Sequence, residues 1–151
     1  MTRTIVKRTI DAPLDVVFAA VADIEQLPEV IPNVVKIEIL SRTDAVVGTC
    51  FRETRLMNGK QALTELDVAE YVPNVRIRMV ADSHGTVWDS VFKVRDEGGH
   101  TELSLTMDAD AHKLLPSLLS PLAKGLIKKG LDQHMDAVKE YCERRTSPPG
   151  N

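Results

Sequence analysis

The stretch Phe51-Arg52-Glu53-Thr54-Arg55-Leu56-Met57-Asn58-Gly59-Lys60-Gln61-Ala62-Leu63-Thr64-Glu65-Leu66 carries at its middle an Asn-Gly pair. That dipeptide favours a two-residue type I′ hairpin, because both central residues of such a turn take positive φ. Folding the chain back there sets Phe51 opposite Leu66 and Glu53 opposite Thr64 on one face, and Arg52 opposite Glu65 on the other. One face is greasy; the other carries a charge pair. His84-Gly85 gives the same kind of answer, with Trp88 opposite Ala81, Ser90 opposite Met79 and Phe92 opposite Ile77, while Arg78 and Val91 face outward. Closing a third hairpin at Gly98-Gly99 sets Val94 against Leu103 and Phe92 against Leu105, with Arg95 and Glu102 on the outer face. Three independent turns thus define one inside and one outside, which random placement rarely does.

Outward from these hairpins the period-two pattern runs from Val34 to Ala109, with further turn signals at Asp44 and Pro73-Asn74, and predicts six consecutive antiparallel strands. Thr4 to Ile10 alternates well enough to be a seventh. Asp11-Ala12-Pro13 supplies an N-cap candidate followed by proline in the first turn, and Val17, Phe18 and Val21 recur at helical spacing. Pro28 and Pro32 then cut the chain into short pieces, so two short helices are predicted after the first strand. From Leu114 to Arg144 the period becomes helical, with Leu119, Leu122, Leu126, Ile127, Leu131, Met135, Val138 and Cys142 near one stripe and a break near Pro116 and Pro121. The inner face of the sheet is the one large apolar surface available to that helix. The expected fold is α+β: a curved seven-stranded antiparallel sheet around a long C-terminal helix, one domain over residues 1–144 with a disordered polar tail at 145–151.

Bulk properties narrow the function. The chain has 151 residues, 43% hydrophobic and 27% charged, with net charge −3 and pI near 5.8. That composition suits one globular domain and lacks the basic footprint of a nucleic-acid binder. No run of about 18 apolar residues predicts a membrane span, so stable membrane insertion is not expected, and no secretory signal is read at the N-terminus. Cys50 and Cys142 match no metal or redox spacing and read as reduced thiols of a cytoplasmic protein.

The run Ile10-x-Ala12-Pro13-x-x-x-Val17-Phe18-x-x-Val21-x-Asp23, followed by Leu27-Pro28 and Pro32, resembles the opening of the SRPBCC (START-like) superfamily. Val47-Gly48-Thr49, Trp88 to Phe92 and the terminal helix fit the same resemblance, which covers about Thr2 to Glu143 and is nearest to bacterial stand-alone polyketide cyclase/dehydrase proteins. It implies the helix-grip fold and an apolar cavity between sheet and helix for lipids, polyketides or other hydrophobic small molecules. It implies no metal, nucleotide or other cofactor. One fold hosts many activities, so the family label does not carry a reaction with it.

The hairpin registers place Glu53 and Arg55 on the enclosed face, where lone charges are costly unless they pair or reach water. They could anchor a polar head or act as acid/base groups, with Glu53 as proton acceptor, or form an ordinary rim ion pair. His84 could titrate at a cavity mouth or serve only as a turn residue. Phe51, Thr64, Leu66, Ile77, Met79, Trp88, Ser90, Phe92, Leu105, Met107, Leu122 and Leu126 form the candidate ligand-binding stripe, and plain core is their other reading. His100, His112 and His134 show no metal spacing, and no nucleophile elbow or glycine-rich phosphate loop occurs. Lys124, Lys128 and Lys129 make a short basic patch that could touch an anionic membrane or carrier protein, or be a solvated helix face.

Two functions remain. One is a module, monomer or homodimer, that carries or sequesters a hydrophobic small molecule. The other is a polyketide cyclase or aromatase in which Glu53, Arg55 and His84 steer proton transfers. A third reading, an interaction subunit with a collapsed core, predicts no cavity above the size of a water.

Overall fold

The computed structural model describes residues 2–112 and 121–146. Strand β1 (Thr2–Ile10) leads into helix α1 (Leu14–Ala22), a 3-10 turn (Ile24–Gln26) and helix α2 (Leu27–Val30). Strands β2 (Val34–Ser41), β3 (Cys50–Met57), β4 (Lys60–Val72), β5 (Arg76–Ser83), β6 (Thr86–Asp96) and β7 (Thr101–Ala111) follow, and helix α3 (Pro121–Thr146) comes last. The strands form one antiparallel sheet in the order β1-β7-β6-β5-β4-β3-β2, so β1 closes onto the last strand and the meander runs on from there. Register shifts between Val34 and Lys36, between Ile39 and Ser41, and between Val68 and Glu70 mark bulges, which bend the sheet into the curve that the helix fills.

The turn chemistry acts as the sequence predicts. Asn58 and Gly59 have φ 52 and 77, and His84 and Gly85 have φ 53 and 85, the signature of I′ turns. Phe51 pairs with Leu66, Glu53 with Thr64, Ser90 with Met79, Phe92 with both Ile77 and Leu105, and Arg95 with Glu102. On the outer face Arg52 reaches Glu65 at 2.9 Å, and Arg78 grips both oxygens of Asp89.

Several details differ from the sequence expectations. Asp11 does not cap α1: Pro13 holds the N-cap position, and the Asp11 amide instead donates to the Glu143 carboxylate at 2.9 Å. Proline preorganises the extended-to-helical step without a side-chain cap. Helix α3 continues two residues past Arg144, to Thr146; Leu119 and residues 147–151 lie outside the described residues.

The helix stripe also divides. Leu131, Met135, Val138 and Cys142 are buried, whereas Leu122 is 76% and Leu126 62% exposed. From Leu131 onward the helix is held down by Arg8, which bonds Asp136 at 2.7 Å and Asp132 at 3.0 Å, and by Lys139, which donates to the Thr9 carbonyl at 2.6 Å. There α3 packs on β1 and α1. Before Leu131 the helix leaves Leu122 and Leu126 exposed, and the space described next lies beside that stretch.

Candidate functional site

A cavity of about 950 Å³ lies between the concave face and α3. Phe51, Leu66, Met79, Trp88, Phe92, Leu105 and Met107 line it from the sheet, and Leu126, Ile127 and Leu131 from the helix. The interior is not collapsed. Of the predicted stripe, Phe51, Thr64, Leu66, Met79, Trp88, Ser90, Phe92, Leu105, Met107 and Leu126 face this space, as do Glu53, Arg55 and His84. Two residues do not. Ile77 is wholly buried in the packed part of the core, and Leu122 is exposed in the first turn of α3. Strand parity tells which side Ile77 faces but not whether the space above it is filled; helical period likewise says nothing of how far Leu122 stands from the sheet.

Glu53 and Arg55 sit two apart on β3, so both project inward. Arg55 Nε lies 3.1 Å from Glu53 Oε2, and its Nη2 donates to Glu53 Oε1 at 3.2 Å, a two-point carboxylate clasp. Only 9% of Glu53 is exposed, so this pairing offsets an otherwise costly buried charge. The same Nη2 lies 3.2 Å from His134 Nδ1. A guanidinium can only donate, so Nδ1 accepts and the imidazole keeps its proton on Nε2. Burial first, and the Arg55 charge second, lower the His134 pKa from 6.5 to about 3, so the ring is neutral at physiological pH. Its other face rests against Phe92, with ring centroids 5.6 Å apart. His134 is half-buried and lines the cavity.

The result is a cationic edge backed by a carboxylate and a neutral imidazole on an apolar wall. Such an edge can hold a carbonyl, enolate or carboxylate oxygen. His84 is not part of it: exposed on its turn, it bonds Ser83 Oγ through Nδ1 at 2.8 Å. Among the described residues, no group of three or more His, Cys, Asp or Glu side chains is placed to hold a metal ion.

Sequence reasoning weighed His134 only as a metal ligand. The signal was present, since His134 falls three residues after Leu131 and four before Val138, on the buried stripe. Thr86 was passed over too, although it shares the inward parity of Trp88 and Ser90. It is 2% exposed, lines the cavity, and its hydroxyl is the one buried side-chain polar atom without a hydrogen-bond partner among the described residues. A smaller crevice of about 470 Å³ lies among α1, the 3-10 turn and the β2–β3 loop. Its Arg42 is paired with Glu25, and among the described residues no buried side-chain polar atom in it lacks a partner.

No curated protein matches the chain. Solved structures match along nearly its whole length. A START superfamily protein of Mycobacterium smegmatis is 18% identical with TM-score 0.81, over 95% of this chain and 99% of that one. The Zhui aromatase/cyclase from Streptomyces sp. R1128 is 18% identical with TM-score 0.78, over 99% and 98%. A protein of Thermus thermophilus is 21% identical with TM-score 0.75, over 97% and 100%. At such identities these likenesses establish the START-like helix-grip fold. The model of one family, described as polyketide cyclase / dehydrase and lipid transport, matches residues 1–143, and the chain belongs to that family.

Proposed function

We propose that this protein binds a hydrophobic small molecule, lipid- or polyketide-like, and carries or sequesters it in the cavity beneath α3. The observation that carries the reading is the cavity itself: about 950 Å³, walled by apolar side chains, with one charged cluster at Glu53, Arg55 and His134. Small-molecule sites commonly span about 300–1,000 Å³ with a few placed polar groups on an apolar lining. The family's description, which includes lipid transport, is in keeping with it. The partner in this reading is the small molecule, with no nucleic acid, and the protein works as a monomer or homodimer. A cytoplasmic setting agrees with two free cysteines. Among the described residues, no helix is long and apolar enough to cross a membrane.

Trp88 is the chain's single tryptophan and it lines the cavity, so its emission reports occupancy. Titration with lauric acid should shift that emission saturably, and native mass spectrometry should show a one-to-one complex. Emission that stays fixed while no complex forms would remove the binding reading.

The second reading, a cyclase- or aromatase-type enzyme, has one observation in its favour: Glu53, Arg55 and His134 converge on the cavity. Arg55 engages both Glu53 oxygens, however, which suits anchoring better than proton abstraction. Unchanged turnover of a polyketide-like substrate by Glu53→Gln would eliminate Glu53 as the base.

A further inference from the structure

The cavity has a second polar place, away from Arg55. Thr86 opens β6, directly across from Ser83 at the end of β5. Thr86 lines the cavity, and its hydroxyl is buried without a partner, which is the costly state for a polar group. Ser83 and His84 line the cavity beside it and are bonded to each other. Among the described residues, no cationic or anionic side chain joins them on the lining; Asp82 pairs with His112 instead. This place holds neutral groups able both to donate and to accept, whereas the other presents the donors of the Arg55 guanidinium beside the Glu53 carboxylate.

The sheet register relates the two. Glu53 pairs with Thr64, and continuing the β4–β5 register three residues beyond Asp67↔Val80 brings Thr64 level with Ser83, hence with Thr86. From β3 to β6 is three strand spacings, roughly 14 Å before curvature is counted. Apolar side chains, Leu66, Ala81 and Trp88 among them, line the cavity between.

Building on the hydrophobic-ligand reading, we infer that Thr86 is a second anchoring point, and that the molecule bound here carries polar groups at two ends: an acceptor oxygen or carboxylate at Arg55 and a neutral hydroxyl or carbonyl at Thr86. Lauric acid and ω-hydroxylauric acid test this, since their chain spans the distance and they differ in one terminal hydroxyl. Calorimetry on the full chain should show the hydroxy acid binding about three- to tenfold more tightly than lauric acid, the range of one net neutral hydrogen bond. Thr86→Val, the same shape without the hydroxyl, should abolish that preference; Thr86→Ser should retain it. Lauric acid binding without any preference for the hydroxyl, or a preference that survives in Thr86→Val, would overturn the Thr86 assignment alone. Failure of both acids to bind the unaltered chain would overturn the hydrophobic-ligand reading and this assignment with it.

Discussion

The charged cluster is a balance of costs. Glu53 is tolerated in the interior because Arg55 meets both of its oxygens, and Arg55 is held in place by a histidine that must stay neutral to accept from it. An unfolded imidazole protonates near pH 6.5, whereas the folded His134 resists until about 3. Between those values the unfolded state binds the extra proton, so the stability tied to neutral His134, full above 6.5, is lost as pH falls toward 3. The loss is at most about 1.4 kcal/mol per pH unit. Urea melts at about pH 7 and about pH 5.5, a window above most carboxylate midpoints, should show a steeper acid loss for the natural chain than for His134→Gln. Equal losses would mean that His134 does not sustain that acid dependence. The residues of this cluster were unevenly legible. Glu53 and Arg55 followed from strand parity and one turn, but the partner that orients Arg55 sits seventy-nine positions away on a helix, and no local pattern connects them.

At the scale of elements, the β5–β6 hairpin separates a backbone role from a chemical one. His84 holds φ 53 in a I′ turn, where asparagine is at ease and a β-branched residue is not. His84→Asn should keep stability within about 0.5 kcal/mol and leave ligand affinity intact, whereas His84→Val should cost about 1–2 kcal/mol in chemical denaturation. If His84→Asn folds well but loses the ligand, the imidazole itself takes part in binding. The hairpins were readable because each turn sets its register locally, and each register then assigns every side chain to a face. Helix α3 was readable as a stripe, yet Leu122 and Leu126 share that stripe with Leu131 and Met135 and have a different fate. Whether a helical face is covered depends on the strands beneath it, not on its own period.

Across the whole molecule, the two halves of α3 divide the interior into packed core and cavity, and substitutions should sort accordingly. Met135 is fully buried in the packed half, and Met135→Ala should cost about 2–5 kcal/mol in urea denaturation. Gly130 lines the cavity, and a Cβ added there meets nothing within 4 Å. Gly130→Leu should therefore leave the melting temperature unchanged or raised, through helix propensity and new apolar contact, while weakening lauric acid binding by at least about tenfold. A Gly130→Leu chain that binds as tightly as before would place the ligand elsewhere. Taken by itself, the sequence determined the run of consecutive strands, the three hairpin registers, the inward set of side chains and the presence of a long amphipathic helix, because turn geometry and period two or 3.6 are local properties of the chain. Only the tertiary structure decided that β1 is the last strand's neighbour, and that α3 is clamped to β1 toward its C-terminus and borders open space toward its N-terminus. From that follow the cavity, the seat of His134 and the solitary hydroxyl of Thr86, all of which depend on how far one element lies from another across the fold.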